Sequence, residues 1–82
     1  MSDSLLALKA AFVEGLGVDE EGVDWASLEY RSIPEWDSVA HMMVIAEIED
    51  AFDVAISTDD VIAMSSFTIA QEILSRYGVS FS

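Results

Sequence analysis

The chain has no cysteine, one proline, one histidine and only three basic residues among its 82. Without cysteine it can form neither a disulfide framework nor a thiolate metal site. No apolar run approaches the ~20 residues that cross a bilayer, and the N-terminus lacks the basic and apolar regions of a secretion signal. We therefore expect a soluble, cytoplasmic protein without a membrane partner or a metal centre.

The small size of the chain also limits its chemistry. Residues 1–82 are enough for a single domain, whose core supplies about 3–5 kcal/mol of net stability. Helices would use most of this length and leave no second layer to hold several catalytic groups in register. We expect a protein that carries chemistry for other proteins and is not itself an enzyme.

Acidic residues outnumber basic ones by sixteen to three, and the net charge is −13 at pH 7. Fourteen of these acids lie within residues 14–60, where Arg31 is the only base. A field of this sign repels nucleic acid and steers basic protein surfaces toward the chain. We expect partners with basic patches and no nucleic-acid ligand, while a surface that serves only solubility is the simpler alternative.

Apolar spacing predicts a first helix over residues 3–16. Ser2 or Ser4 could cap its start, and Gly15 and Gly17 could end it. The apolar residues recur at intervals of three and four: Leu5, Leu8, Phe12, Val13 and Leu16.

A long polar connection follows over residues 17–36. Asp24 can cap a short turn there, and three apolar side chains are expected to pin the connection to the helices: Trp25, Leu28 and Ile33. Connections of this length are usually functional or packed on themselves.

A second helix is predicted from Asp37 or Ser38 to Phe52, and its faces differ. One face is expected in the core: His41, Val44, Ile45, Ile48 and Phe52. The other is apolar near Ser38 and acidic further along: Val39, Met42, Met43, Ala46, Glu49, Asp50 and Asp53. Apolar contact flanked by charge is typical of a helix that docks on a partner.

Two more helices complete the expected fold. Thr58, Asp59 and Asp60 can cap a short third helix that runs through Met64, and Thr68 to Gln71 has the pattern of a capping box for the last helix. Gly78 would end that helix, whose inward residues are Ile69, Ile73, Leu74 and Tyr77. The fold class predicted is all-α: a small four-helix bundle with a long loop between helices one and two.

Ser38 is the candidate functional residue. A serine in the first turn of a helix has free backbone N–H groups nearby and lies at the positive end of the helix dipole, which suits a phosphodiester. Asp37-Ser38-Val39, with the later Glu47-Ile48-Glu49-Asp50-Ala51-Phe52-Asp53, closely resembles the Asp-Ser-Leu motif and following helix of acyl carrier proteins. The resemblance covers about residues 3–77 and is to the discrete, stand-alone type.

This resemblance implies that a phosphopantetheinyl transferase esterifies Ser38 with phosphopantetheine from coenzyme A. The arm would hold acyl cargo as a thioester for acyl-loading, condensing or acyltransferase enzymes. Asp37 would contact the transferase or its metal, and a role as helix N-cap is an equal alternative. The expected docking face of this monomer consists of Val39, Met42, Met43, Glu47, Glu49, Asp50 and Asp53.

Several positions depart from the family pattern. Trp36 replaces a small residue, Val39 replaces leucine, and Ala40, His41 and Met43 stand where fatty-acid carriers commonly have charged or hydroxyl residues. We therefore expect a specialised biosynthetic pathway, such as polyketide synthesis, over primary fatty acid synthesis.

Other functions remain open. An aminoacyl or peptidyl carrier would bear the same arm, but its serine usually follows histidine or glycine and not an acid such as Asp37. An unmodified acidic adaptor is the second alternative. A hydrolase built on Ser38 and His41 is disfavoured, because the chain has no second histidine and the pair lacks a third orienting group. We expect His41 to be a partly buried packing residue and Met43 to contact partners, although methionines are usually core residues.

Overall fold

The structure is a computed structural model that describes residues 3–81. This part of the chain forms four α-helices, with a short 3₁₀ turn at Glu20–Gly22 and no strand beyond one isolated bridge between Glu29 and Ser66. The helices are α1 (Asp3–Leu16), α2 (Ser38–Phe52), α3 (Thr58–Ala63) and α4 (Phe67–Arg76). The predicted all-α bundle with a long first connection is confirmed. None of the described helices is long and apolar enough to cross a bilayer.

The end of α1 differs from expectation at Gly15. This glycine is buried inside the helix and does not end it. A Cβ atom at Gly15 would lie 2.6 Å from the Cα of Val44 in α2, so the missing side chain lets the two helices approach closely. Gly17 ends α1 as expected, because its φ of 70° is a left-handed conformation that glycine adopts easily.

The start of α1 is only partly described. Ser4 lies within the helix, so the expectation that it could cap the first turn is wrong. Ser2, the other candidate cap, lies outside the described residues. Along the helix, Leu8, Phe12 and Leu16 are buried and Leu5 packs at the edge of the core, as predicted, whereas Val13 is only half-buried.

Phe12 of α1 holds three segments together in the core. Its ring makes edge-on contacts with Trp36 and Trp25 of the long connection, at centroid distances of 5.4 and 6.3 Å. A third edge-on contact, at 5.2 Å, joins Phe12 to Phe67 of α4. Such aromatic pairs add to the stabilisation that burial alone provides.

The long connection packs against the bundle through more residues than expected. Leu28 is buried, and Trp25 and Ile33 are partly buried against the core, as predicted. Trp36, considered from sequence only as a departure from a family pattern, is fully buried. Asp24 opens a turn with its backbone carbonyl, which accepts a hydrogen bond from the N–H of Ser27 at 3.1 Å.

Backbone hydrogen bonds fix the same connection to the segment between α3 and α4. The N–H of Tyr30 donates to the carbonyl of Ser65 at 2.7 Å, and the N–H of Phe67 donates to the carbonyl of Leu28 at 3.0 Å. Arg31 has a φ of 66° and turns the chain so that its N–H reaches the carbonyl of Trp36. The connection is therefore an ordered part of the fold.

The predicted caps of the last two helices are wrong by one and two residues. Ser57 caps α3, since its Oγ accepts a hydrogen bond from the N–H of Asp60. Ser66 caps α4 in the same way, with the N–H of Ile69 as donor at 3.0 Å. In both cases an extended serine places its hydroxyl over the first turn, and burial of Phe67 starts α4 before Thr68.

Asp60 joins α3 to the end of α4. Its carboxylate accepts hydrogen bonds from the Tyr77 hydroxyl at 2.6 Å, the Ser57 hydroxyl at 3.1 Å and the Arg76 guanidinium at 3.1 Å. The bond from Tyr77 contributes most to lowering the pKa of Asp60 below its ordinary value of 3.8. Because the folded-state pKa is lowered, this group stabilises the fold above pH 3.8 and loses that contribution as the pH falls through the lowered pKa.

The inward face of α4 matches the prediction. Ile73 and Leu74 are buried, Ile69 and Tyr77 are partly buried, and Gly78 follows the helix with a φ of 92°.

The contact at Gly15 can be tested by adding a single methyl group. Gly15→Ala should lower the free energy of unfolding by about 1–3 kcal/mol, because the added Cβ meets backbone atoms of Val44 that cannot rotate away. Gly22→Ala is the matched control, since a Cβ there meets nothing within 4 Å and should change stability by less than ~0.5 kcal/mol. Urea unfolding measures both. Equal stability of the two variants would contradict the close approach of α1 and α2.

Candidate functional site

The N-terminus of α2 is capped by Asp37 and not by Ser38. The Asp37 carboxylate accepts a hydrogen bond from the N–H of Ala40 at 2.9 Å, and its carbonyl accepts one from the N–H of His41. Ser38 is the first helical residue and is exposed. Within residues 3–81 its hydroxyl makes no hydrogen bond. The side chain is therefore available for chemistry at the positive end of the helix dipole.

The two predicted faces of α2 are present. Val44, Ile45 and Ile48 are buried, and His41 and Phe52 are partly buried at the edges of the same face. On the opposite face the side chains near Ser38 are exposed: Val39 by 70%, Met42 by 56% and Met43 by 55%. Exposed apolar patches of this kind are typical of surfaces that contact other molecules.

The acidic end of α2 is more structural than expected. Glu49 is half-buried, and its carboxylate accepts a hydrogen bond from the N–H of Ile56 at 2.9 Å. Asp53 ends the helix with a φ of 53°, and its N–H donates to the carbonyl of Glu49. Glu47 is half-buried, whereas Asp50 is exposed. Of these four predicted partner residues, Asp50 and Asp53 are exposed, whereas the Glu49 carboxylate is hydrogen bonded within the fold.

Ser38 lies on the wall of a groove of about 350 Å³ between α2 and α3. This volume is within the range of small-molecule sites, about 300–1,000 Å³. Met42 lies on the α2 side, and Val61 and Ile62 lie on the α3 side. The full set of lining residues is Tyr30, Ser38, His41, Met42, Val61, Ile62, Met64 and Ser65.

Sequence reasoning assigned to this site neither the lining residues of α3 nor Tyr30, Met64 and Ser65. Ile62 is 75% exposed, and it extends the apolar surface from α2 onto α3. A helix of six residues is too short for apolar spacing to show which face is outward. Tyr30 reaches the groove because the long connection is hydrogen bonded to Ser65, which no local pattern reveals.

His41 is hydrogen bonded through both ring nitrogens. The indole N–H of Trp36 donates to Nδ1 at 3.0 Å, and Nε2 lies 2.8 Å from the carbonyl oxygen of Val61. An indole N–H can only donate and a carbonyl can only accept, so this network assigns the proton to Nε2. The imidazole lies nearly parallel to the Trp36 ring, with centroids 5.9 Å apart, and it contacts the Tyr30 ring edge-on. The expected packing role of His41 is confirmed.

We compared the chain with models of protein families, with curated proteins and with solved structures, and none of them matched. The likeness to acyl carrier proteins therefore stays a prediction from the sequence. Function is inferred from the residues and their geometry.

The two roles considered for Asp37 can be separated by substitution. Asp37→Ala should lower the free energy of unfolding by about 0.5–2 kcal/mol, because the N–H of Ala40 loses its acceptor. Asp37→Asn keeps an acceptor oxygen and should be nearly as stable as the parent in urea unfolding. If Asp37→Ala were as stable as the parent, the cap would be wrong. The transferase contact expected from the resemblance would appear as slower transferase-dependent modification of the asparagine variant than of the parent.

Proposed function

We propose that this chain is an acyl carrier protein that tethers acyl cargo at Ser38 and delivers it to partner enzymes. The proposal rests on the different roles of Asp37 and Ser38 at the start of α2. Asp37 caps the helix, and the Ser38 hydroxyl is left exposed without a hydrogen bond in the described structure. A serine whose only role was to cap the helix would have its oxygen on a backbone N–H.

The residues around Ser38 fit a phosphopantetheine group. In the attachment reaction the Ser38 Oγ loses its proton and forms a bond to the β-phosphorus of coenzyme A, while the bond from that phosphorus to the adenosine bisphosphate oxygen breaks. The start of α2 favours the resulting phosphodiester charge through its dipole. When bound, the group supplies a thiol that carries cargo as a thioester.

The surface around Ser38 supports docking of partner enzymes. Val39, Met42, Met43 and Ile62 are all more than half exposed, and Asp50 adds negative charge on the same helix. A partner that binds here needs an apolar depression beside a basic patch. Phosphopantetheinyl transferase and acyl-loading, condensing or acyltransferase enzymes are the proposed partners.

A specialised biosynthetic pathway fits the same surface better than primary fatty acid synthesis. The positions that follow Ser38 are apolar or aromatic: Val39, Ala40, His41, Met42 and Met43. His41 is engaged internally with Trp36 and Val61, so the docking surface near Ser38 is formed by apolar side chains. Enzymes that select a charged surface at this point would bind it poorly.

The attachment site is tested by Ser38→Ala. Co-expressed with a phosphopantetheinyl transferase, the parent should gain the mass of phosphopantetheine and the variant should not. Thermal unfolding of the unmodified proteins should be nearly identical, because the Ser38 hydroxyl bonds to nothing within residues 3–81. Intact-mass spectrometry measures the modification.

Ser57→Ala is the matched control for that experiment. It removes a serine hydroxyl that does cap a helix, so it should cost about 1 kcal/mol of stability and still be modified. A mass increase in Ser38→Ala would disprove attachment at this residue. No modification of the parent by any transferase would favour the unmodified adaptor, and loading by aminoacyl donors alone would favour the aminoacyl carrier.

The charge on α2 is tested by Asp50→Lys. Binding of the parent to a cognate enzyme should weaken as salt is added, and the variant should associate more slowly with a smaller salt dependence. Asp50 is preferred over Glu49, whose carboxylate holds the N–H of Ile56. Glu72→Lys makes the same charge change at an exposed residue of α4 and is the matched control. Equal effects of the two variants would mean that only net charge matters.

A further inference from the structure

His41 lines the groove beside Ser38 and is hydrogen bonded to the fully buried Trp36. We propose that His41 is a specificity-determining residue that limits the depth of this groove, so that the chain holds short acyl cargo in the groove and keeps long alkyl chains out of the bundle. This inference rests on the proposed attachment of cargo at Ser38.

The imidazole of His41 lies between the groove and the buried Trp36. His41 lies on the lining of the groove, and its ring lies beside that of Trp36, which is fully buried. A chain that went deeper than the groove at this point would have to displace the imidazole from Trp36. Met64, also fully buried, lines the groove beside it.

Two hydrogen bonds hold the imidazole in place. One comes from Trp36 in the long connection, and the other goes to the carbonyl of Val61 in the last turn of α3. The Val61 carbonyl is one of the last four of α3. Carbonyls at these positions find no N–H donor within their own helix. Moving the ring would leave the Trp36 indole N–H and the Val61 carbonyl without these partners in a partly buried site.

The bond between His41 and Val61 also restrains the separation of α2 and α3. His41 belongs to α2 and Val61 to α3, so widening the groove to admit a chain between these helices would break the bond that joins them. The outer part of the groove has no such restraint, because Met42 and Ile62 on opposite sides are both more than half exposed.

The cargo is the occupant that suits this groove. Its lining includes four apolar side chains, and the hydrophobic effect favours alkyl groups there over the amide-rich arm. The arm is tethered at Ser38 on the same lining, so a flexible arm that folds back can present its acyl end to the groove at high effective concentration.

The experiment uses the full chain with methyl-labelled methionine and isoleucine. Ser38 is loaded with phosphopantetheine that carries no acyl group, a butyryl, an octanoyl or a palmitoyl group, and loading is checked by intact mass. NMR then follows Met42 and Ile62 at the groove and Ile73 in the core. Butyryl and octanoyl should shift Met42 and Ile62 relative to the unacylated form, and no chain should shift Ile73.

Two variants test His41 itself. His41→Ala removes the side chain proposed to limit the depth of the groove, so octanoyl and palmitoyl chains should reach the core and shift the Ile73 signals. Their thioesters should then be cleaved more slowly by hydroxylamine, because the bundle shields them. His41→Gln supplies one acceptor for Trp36 and one donor for Val61 and should restore the parent pattern. Circular dichroism confirms that each variant is folded before it is compared.

Several results would overturn the inference. A shift of Ile73 in the acylated parent would show that chains enter the core, and this result needs no variant. Identical shifts with and without an acyl group would show that the arm and not its cargo fills the groove. An unchanged Ile73 in folded, palmitoylated His41→Ala would show that His41 is not the barrier. Failure of the parent to gain mass would instead refute the proposed function.

Discussion

The buried indole of Trp36 is the contact on which the site depends. Its ring packs edge-on against Phe12 of α1, and its N–H binds His41 of α2. His41 in turn binds the carbonyl of Val61 in α3. One side chain of the long connection thus places α1, α2 and α3 relative to one another. Ser38 lies only two residues further along the chain, so its position follows from the same burial.

Stability and exposure are divided between neighbouring residues at the start of α2. Trp36 is buried and Asp37 caps the helix, while Ser38 and Val39 are exposed and take no part in the core. This separation allows the surface to be modified without loss of packing. The acids follow a similar division, because Glu49 and Asp60 accept hydrogen bonds within the fold and Asp50 faces solvent. Acids that hold the fold together and acids that are free on the surface therefore lie on the same side of the charge balance of −13.

Most of the helices were predictable because apolar spacing over several turns is a strong signal. It gave α1 and α2 their bounds to within a residue, and it separated buried Val44 and Ile48 from exposed Met42 and Met43. The N-caps of α3 and α4 were predicted poorly. Ser57 and Thr58, like Ser66 and Thr68, are equally good capping residues, and the turn of the chain before each helix decides which one is used. Gly15 was misassigned for a related reason: a glycine that ends a helix and one that admits a neighbouring helix look alike in sequence.

The sequence by itself determined the all-α class, the long first connection, the exposed serine after an acid and the apolar surface on α2. These follow from local periodicity and local residue chemistry, which need no knowledge of distant contacts. Only the tertiary structure decided that Asp37 and not Ser38 is the cap, that Trp36 is buried, and that Tyr30 and Ile62 meet Ser38 around one groove. These features depend on contacts between residues far apart in the chain, and packing selects among options that local sequence leaves equally good.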